Sequence, residues 1–128
     1  MKYLLIVVLG LIASGSYANS KEQSTIGYAT VKEALDSLKK KAGTDVSVQG
    51  GWTIVSDKEN GNMVLWSFSP ENHDAHPAVI KRTVLEQGGF VKIRMTALCQ
   101  AKKAPCDKLI EEFNELNAQI GKQMRNGS

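Results

Sequence analysis

Apolar positions recur with a helical period at both ends of the chain and with a period of two through its middle, which predicts a helix, a run of strands and a second helix. Val31, Ala34, Leu35 and Leu38 form the first helical stripe. Thr30 and Glu33 have capping-box spacing before it, Lys39, Lys40 and Lys41 suit the negative end of its dipole, and Gly43 follows. These signals predict a helix over Val31 to Lys41. The second stripe is Leu109, Ile110, Phe113, Leu116 and Ile120. Pro105 suits a first turn and Gly121 an end, so the expected span is Pro105 to Ile120.

Between the helices the strand candidates are Asp45 to Gln49, Trp52 to Ser56 and Met63 to Ser69, then two longer ones on either side of Gly88-Gly89. Gly50-Gly51, Asn60-Gly61 and Gly88-Gly89 are two-residue hairpin turns, since such turns need positive φ at both central positions. With the first two turns fixed, Val46, Val48, Thr53, Val55, Val64, Trp66 and Phe68 share one face. In the last hairpin Ile80, Val84, Val91, Ile93, Met95 and Ala97 share a face, with Arg82 and Glu86 as its only charges. The fold class that follows is α+β: a four- or five-stranded antiparallel meander with an amino-terminal and a carboxy-terminal helix packed on one face, and one disulfide.

The remaining face is too apolar for plain solvated surface, because it carries Trp52, Ile54, Met63 and Leu65. Two readings are open: these side chains belong to a core on both sides of the sheet, or they form a contact face. In the second reading Lys81, Lys92 and Arg94 continue the face as a cationic margin.

Length and ordering of segments set the domain plan: 1–18 a signal peptide, 19–29 a flexible amino-terminal tail, 30–121 a single domain, and 122–128 a frayed carboxy-terminal tail. The signal reading rests on Lys2, the apolar run Leu4 to Ile12 and the small residues of Ser16-Tyr17-Ala18. That run is shorter than a membrane span needs, so cleavage before Asn19 leaves no anchor and implies a periplasmic or secreted protein. In such a compartment the two cysteines, Cys99 and Cys106, most simply form one structural bridge. Their C-x6-C spacing differs from a redox C-x-x-C pair. Without Lys2 the 16 basic residues of the chain become 15, against 13 acidic ones, and a near-neutral balance gives no reason to expect a nucleic-acid partner.

Candidate chemistry concentrates in Pro70 to Pro77, which holds both histidines of the chain. His73, Asp74 and His76 are of the types that zinc or copper accepts, although His-x-x-His in a loop lacks the one-face geometry of i, i+4 spacing on a helix. The chain has no G-x-S-x-G elbow, no H-E-x-x-H and no phosphate-cradling glycine loop. No catalytic constellation stands out, and no cofactor is expected.

Gly51-Trp52-Thr53-Ile54-Val55, His76-Pro77-Ala78-Val79-Ile80-Lys81-Arg82, and Cys99 and Cys106 leading into Leu109, Phe113 and Leu116-Asn117 resemble small secreted proteins of proteobacteria without an assigned activity. The resemblance implies compartment and carries no catalytic residue. The expected function is a non-enzymatic binding or accessory module that meets a protein or peptide partner, or a second copy of itself, through the outer sheet face. The alternatives are a metal-handling protein using the histidine loop and a secreted enzyme inhibitor.

Overall fold

The computed structural model describes residues 26–126; the expected signal segment, the expected tail residues before Ile26 and the last two residues lie outside them. The order is α1 (Val31–Lys40), β1 (Asp45–Gln49), β2 (Trp52–Glu59), β3 (Asn62–Phe68), β4 (Ala78–Gln87), β5 (Phe90–Cys99) and α2 (Lys103–Asn126). All five strands pair with their sequence neighbours in one open antiparallel sheet, β1-β2-β3-β4-β5. The three tight turns fix the registers Gln49↔Trp52, Glu59↔Asn62 and Gln87↔Phe90. Asn60 tolerates φ of 54° in the middle turn, as Asn does more readily than most residues, and glycines occupy the other positive-φ turn positions.

Helix α1 starts as its capping box requires. Thr30 Oγ1 accepts from the Glu33 N–H at 3.1 Å, and the Glu33 carboxylate reaches back to the Ala29 N–H at 3.2 Å. Its buried stripe, Val31, Ala34 and Leu38, packs with Val55, Val64, Trp66, Phe68, Val79 and Leu98 of the sheet. Ile26, 3% exposed, joins this core, and Tyr28 packs edge-on against Trp66 at 5.8 Å. Residues 26 to 29 therefore belong to the domain rather than to a tail, because apolar side chains there fill the flank of Trp66.

Helix α2 lies on the other face. Leu109 packs with Ala75, Ala78 and Ile80, and Trp52, Met95, Ala97, Cys99 and Phe113 surround that group. The expectation of both helices on one face is thus corrected. In the observed register Trp66 faces Lys81 and Leu65 faces Arg82, so the apolar face of the first three strands and that of the last hairpin are opposite sides of one sheet. A sheet apolar on both sides requires a cover on each.

The cysteines are joined, tying the end of β5 to the first turns of α2. Helix α2 is longer than its signals suggest. It begins at Lys103, where Pro105 still sits in the first turn and lacks only an N–H that has no intrahelical partner, and it runs through Gly121 to Asn126. A lone glycine costs a helix about 1 kcal/mol and does not end it; residues 122–126 are helical rather than a frayed tail.

Candidate binding surface

Within the α2 face the cover is partial. The helix is anchored over β5 and the adjoining part of β4, where Asn117 Nδ2 meets Met95 Sδ at 3.3 Å and Arg82 stacks on Phe113 at 5.1 Å. Trp52 lies beneath the helix edge. Its ring meets Phe113 at 5.7 Å and His73 at 5.3 Å, both edge to face, so it is half-buried core between the helix and the loop. Beyond it Ile54 and Leu65 are half-buried, as Trp52 is, and Met63 is 50% exposed. Leu116, 42% exposed, stands one turn after Phe113 on the side of α2 that carries Lys108 and Glu112. The less covered part of this face is therefore a strip across β2 and β3 in which Ile54, Leu65 and Met63 pair with Ser67, Ser56 and Lys58.

The cationic margin expected from sequence is not on this strip. Lys81 lies opposite Trp66 and holds Glu59 at 3.0 Å while covering the indole at 5.0 Å. Lys92 and Arg94 pair with Leu85 and Thr83 on that same α1 face. Trp52, Ile54, Met63 and Leu65 are thus brought together, and Lys81, Lys92 and Arg94 are separated from them by the thickness of the sheet. The correction comes from the β3–β4 register. The cations that do stand on this face are Lys58, directly across from Met63, and Arg82, directly across from Leu65. The latter is in view from the sequence, as a charge on an otherwise apolar face of the last hairpin.

The histidine loop is tied down by its own hydrogen bonds. The Ser69 N–H donates to the Ala78 carbonyl at 3.0 Å, the Ala78 N–H donates to Ser69 Oγ at 3.0 Å, and His76 Nδ1 lies 2.9 Å from that hydroxyl oxygen. His73 Nδ1 accepts from the Ala75 N–H at 3.0 Å. Each imidazole thus commits one nitrogen to shaping the loop, and among the described residues no group of three or more His, Cys, Asp or Glu side chains is arranged to hold a metal. Beside the loop an open groove of about 700 Å³ runs between His73 and Asp74 and the first turns of α2, with Lys108 and Glu112 on its far wall. Its walls carry two carboxylates, Asp74 and Glu112, and one cation, Lys108. Ser69 is buried, its oxygen accepts from a backbone amide, and among the described residues no carboxylate hydrogen-bonds to His76, so the pair acts as a clasp on the loop.

No helix among the described residues is long and apolar enough to cross a membrane. Comparison with protein-family models, curated proteins and solved structures finds no match to this chain.

Proposed function

We propose that the protein is a non-enzymatic binding module of the bacterial periplasm that holds a protein or peptide partner on the apolar strip formed by Ile54, Met63 and Leu65 beside α2. The observation that carries the reading is the unequal cover of the two faces. Helix α1 buries Val55, Val64, Trp66 and Phe68 to 3% exposure or less, whereas the strip on the reverse side of the same strands leaves Met63 half in water. Exposed apolar surface walled by a helix and rimmed by polar groups is characteristic of interaction sites. The apolar leader and the bridged cysteine pair favour an oxidising compartment for that encounter.

Photocrosslinking in living cells tests the proposal. Benzoylphenylalanine at position 63 is expected to give discrete adducts, while the same residue at position 111, on the exposed back of α2, gives none. Indistinguishable patterns at the two positions overturn the assignment of the strip.

A further inference from the structure

The two edges of the open sheet are guarded differently. An edge strand leaves a row of backbone N–H and C=O groups unpaired, and proteins protect such rows with charged side chains, proline, bulges or a covering element. β5 is protected: Lys92 and Arg94 stand exposed along it, and α2 packs against it. β1 is not. All 5 of its residues are exposed, it has no proline, and its one charge, Asp45, sits at the end of the strand.

Register decides which groups of β1 are free. The Gly50-Gly51 turn closes on Gln49 and Trp52, which makes them a hydrogen-bonded pair, and such pairs recur at Ser47↔Ile54 and Asp45↔Ser56. The backbone N–H and C=O groups of Val46 and Val48 therefore point away from β2. Their side chains stand on the α1 side of the sheet, Val46 beside Val55 and Val48 beside Thr53. The residues that the two helices bury lie on β2 to β5, so this edge is open on both faces.

The occupant must be an extended segment that offers free backbone pairs at alternate residues, with small apolar side chains on the α1 side. β5 of another copy does not qualify. Its α1-side residues include Lys92 and Arg94, which would lie beside the valines, and a contact between unlike edges repeats without closing. β1 itself does qualify. About a two-fold axis normal to the sheet at Ser47, Val46 meets Val48 of the second copy, and each such pair exchanges both of its backbone hydrogen bonds. The valines of both copies then form one apolar cluster, as β-branched cross-strand neighbours do. On the other side Ser47 meets its own equivalent, and Asp45 meets Gln49, whose amide can donate to it. No like charges stand opposite each other along the strand pair. Two-fold symmetry keeps α1 of both copies on one side of the joined sheet, and centring on Ser47 is the register that pairs the whole strand.

We propose that β1 pairs with β1 of a second copy, antiparallel and centred on Ser47, to give one continuous sheet. The contact uses the edge and leaves Ile54, Met63 and Leu65 free for the partner proposed above. A strand of this length buries less than the roughly 1,200 Å² at the lower bound of stable complexes, so a dissociation constant on the order of 100 μM is expected.

Sedimentation equilibrium of the protein from about 10 μM to 1 mM tests the pairing, alongside amide hydrogen exchange at both limits. The mass is expected to rise toward that of two chains, with protection of Val46 and Val48 increasing while Ser47, already bonded to β2, changes little. Val48→Pro removes an outward N–H and none of the bonds to β2, a position where an edge strand accepts proline, and is expected to weaken association at least about tenfold. Val48→Lys installs the guard that β5 carries and is expected to do the same, so the result survives a folding defect in the proline variant. Ser47→Cys places two thiols on the axis, where Cα atoms of a non-hydrogen-bonded pair lie about 4.5 Å apart, within reach of a disulfide. It is expected to give a covalent dimer on mild oxidation, whereas Gln49→Cys, far from its own equivalent, gives none. A single-chain mass up to 1 mM overturns the pairing, using the range set by the expected affinity of about 100 μM. Association that persists in both Val48 variants overturns β1 as the contact, and crosslinking of Gln49→Cys as readily as Ser47→Cys overturns the register. Protection of Val46 and Val48 that is equal at both concentrations overturns a second copy as the occupant.

Discussion

Trp52→Ala decides whether the aromatic at the head of β2 is contact surface or core. Trp52 sits among the side chains around Leu109 and touches two rings, Phe113 at 5.7 Å and His73 at 5.3 Å. Truncating a fully buried large aromatic costs about 3–5 kcal/mol. Part of the indole remains in water, so a loss of about 2–3 kcal/mol is expected, a large share of the roughly 5–15 kcal/mol available to a domain. Urea unfolding followed by far-ultraviolet circular dichroism reads it without relying on the deleted fluorophore. At an m-value of about 1–2 kcal/mol/M the midpoint falls by about 1–3 M with m unchanged. The ring contact itself is isolated by a cycle with Phe113→Ala, where coupling of about 0.5–1.5 kcal/mol is expected for an edge-to-face pair. A loss under about 1 kcal/mol, or strict additivity of the two substitutions, refutes the reasoning, because Trp52 would then be free surface and α2 would not seal that end of the sheet.

Two further outcomes follow from the packing. Replacing both cysteines by serine opens a loop of about eight residues, for which the chain-entropy estimate is about 2.5 kcal/mol; a thermal melt of the double variant within one degree of the parent refutes the bridge as a stabilising clamp. Lys41 reaches the buried Asp57 carboxylate at 2.6 Å, and chiefly this hydrogen bond raises its pKa above the usual 10.5. A raised folded-state pKa gives stability that is complete below the unfolded value and is lost as pH rises through the folded value, so the contribution disappears at strongly alkaline pH. Lys41 is 45% exposed, which keeps the effect modest. Lys41→Arg retains the charge to higher pH and is expected to flatten the alkaline fall in urea midpoint; an unchanged slope rules out the pair as its origin.

Much of the fold was legible because three of its connections are two-residue turns. Gly50-Gly51, Asn60-Gly61 and Gly88-Gly89 leave one register each, and all three observed registers are those the turns demand. The fourth connection, from Ser69 to Pro77, is a loop closed by side-chain hydrogen bonds, and no turn rule sets its parity. A shift of one residue there exchanges the faces of everything downstream. That single parity moved α2 to the opposite side from α1 and moved Lys81, Lys92 and Arg94 off the candidate face, while putting Arg82 on it. Local signals also understated α2, since a glycine at 121 is compatible with both a helix end and a helix interior. Val46 and Val48 show the limit in another way: they share the apolar face as their spacing requires, yet stand 45% and 69% exposed because β1 is an edge strand beyond the reach of the ten-residue α1.

The position of α2 connects the architecture to the site. The disulfide pins the first turns of the helix to the end of β5, and Phe113, two turns further on, meets Trp52 and Arg82. A helix held at that edge covers β5 and β4 first, reaches Trp52 at the head of β2, and leaves Met63 of β3 half exposed. The bridge between Cys99 and Cys106 therefore does two things at once: it stabilises the domain, and it sets where the apolar strip begins.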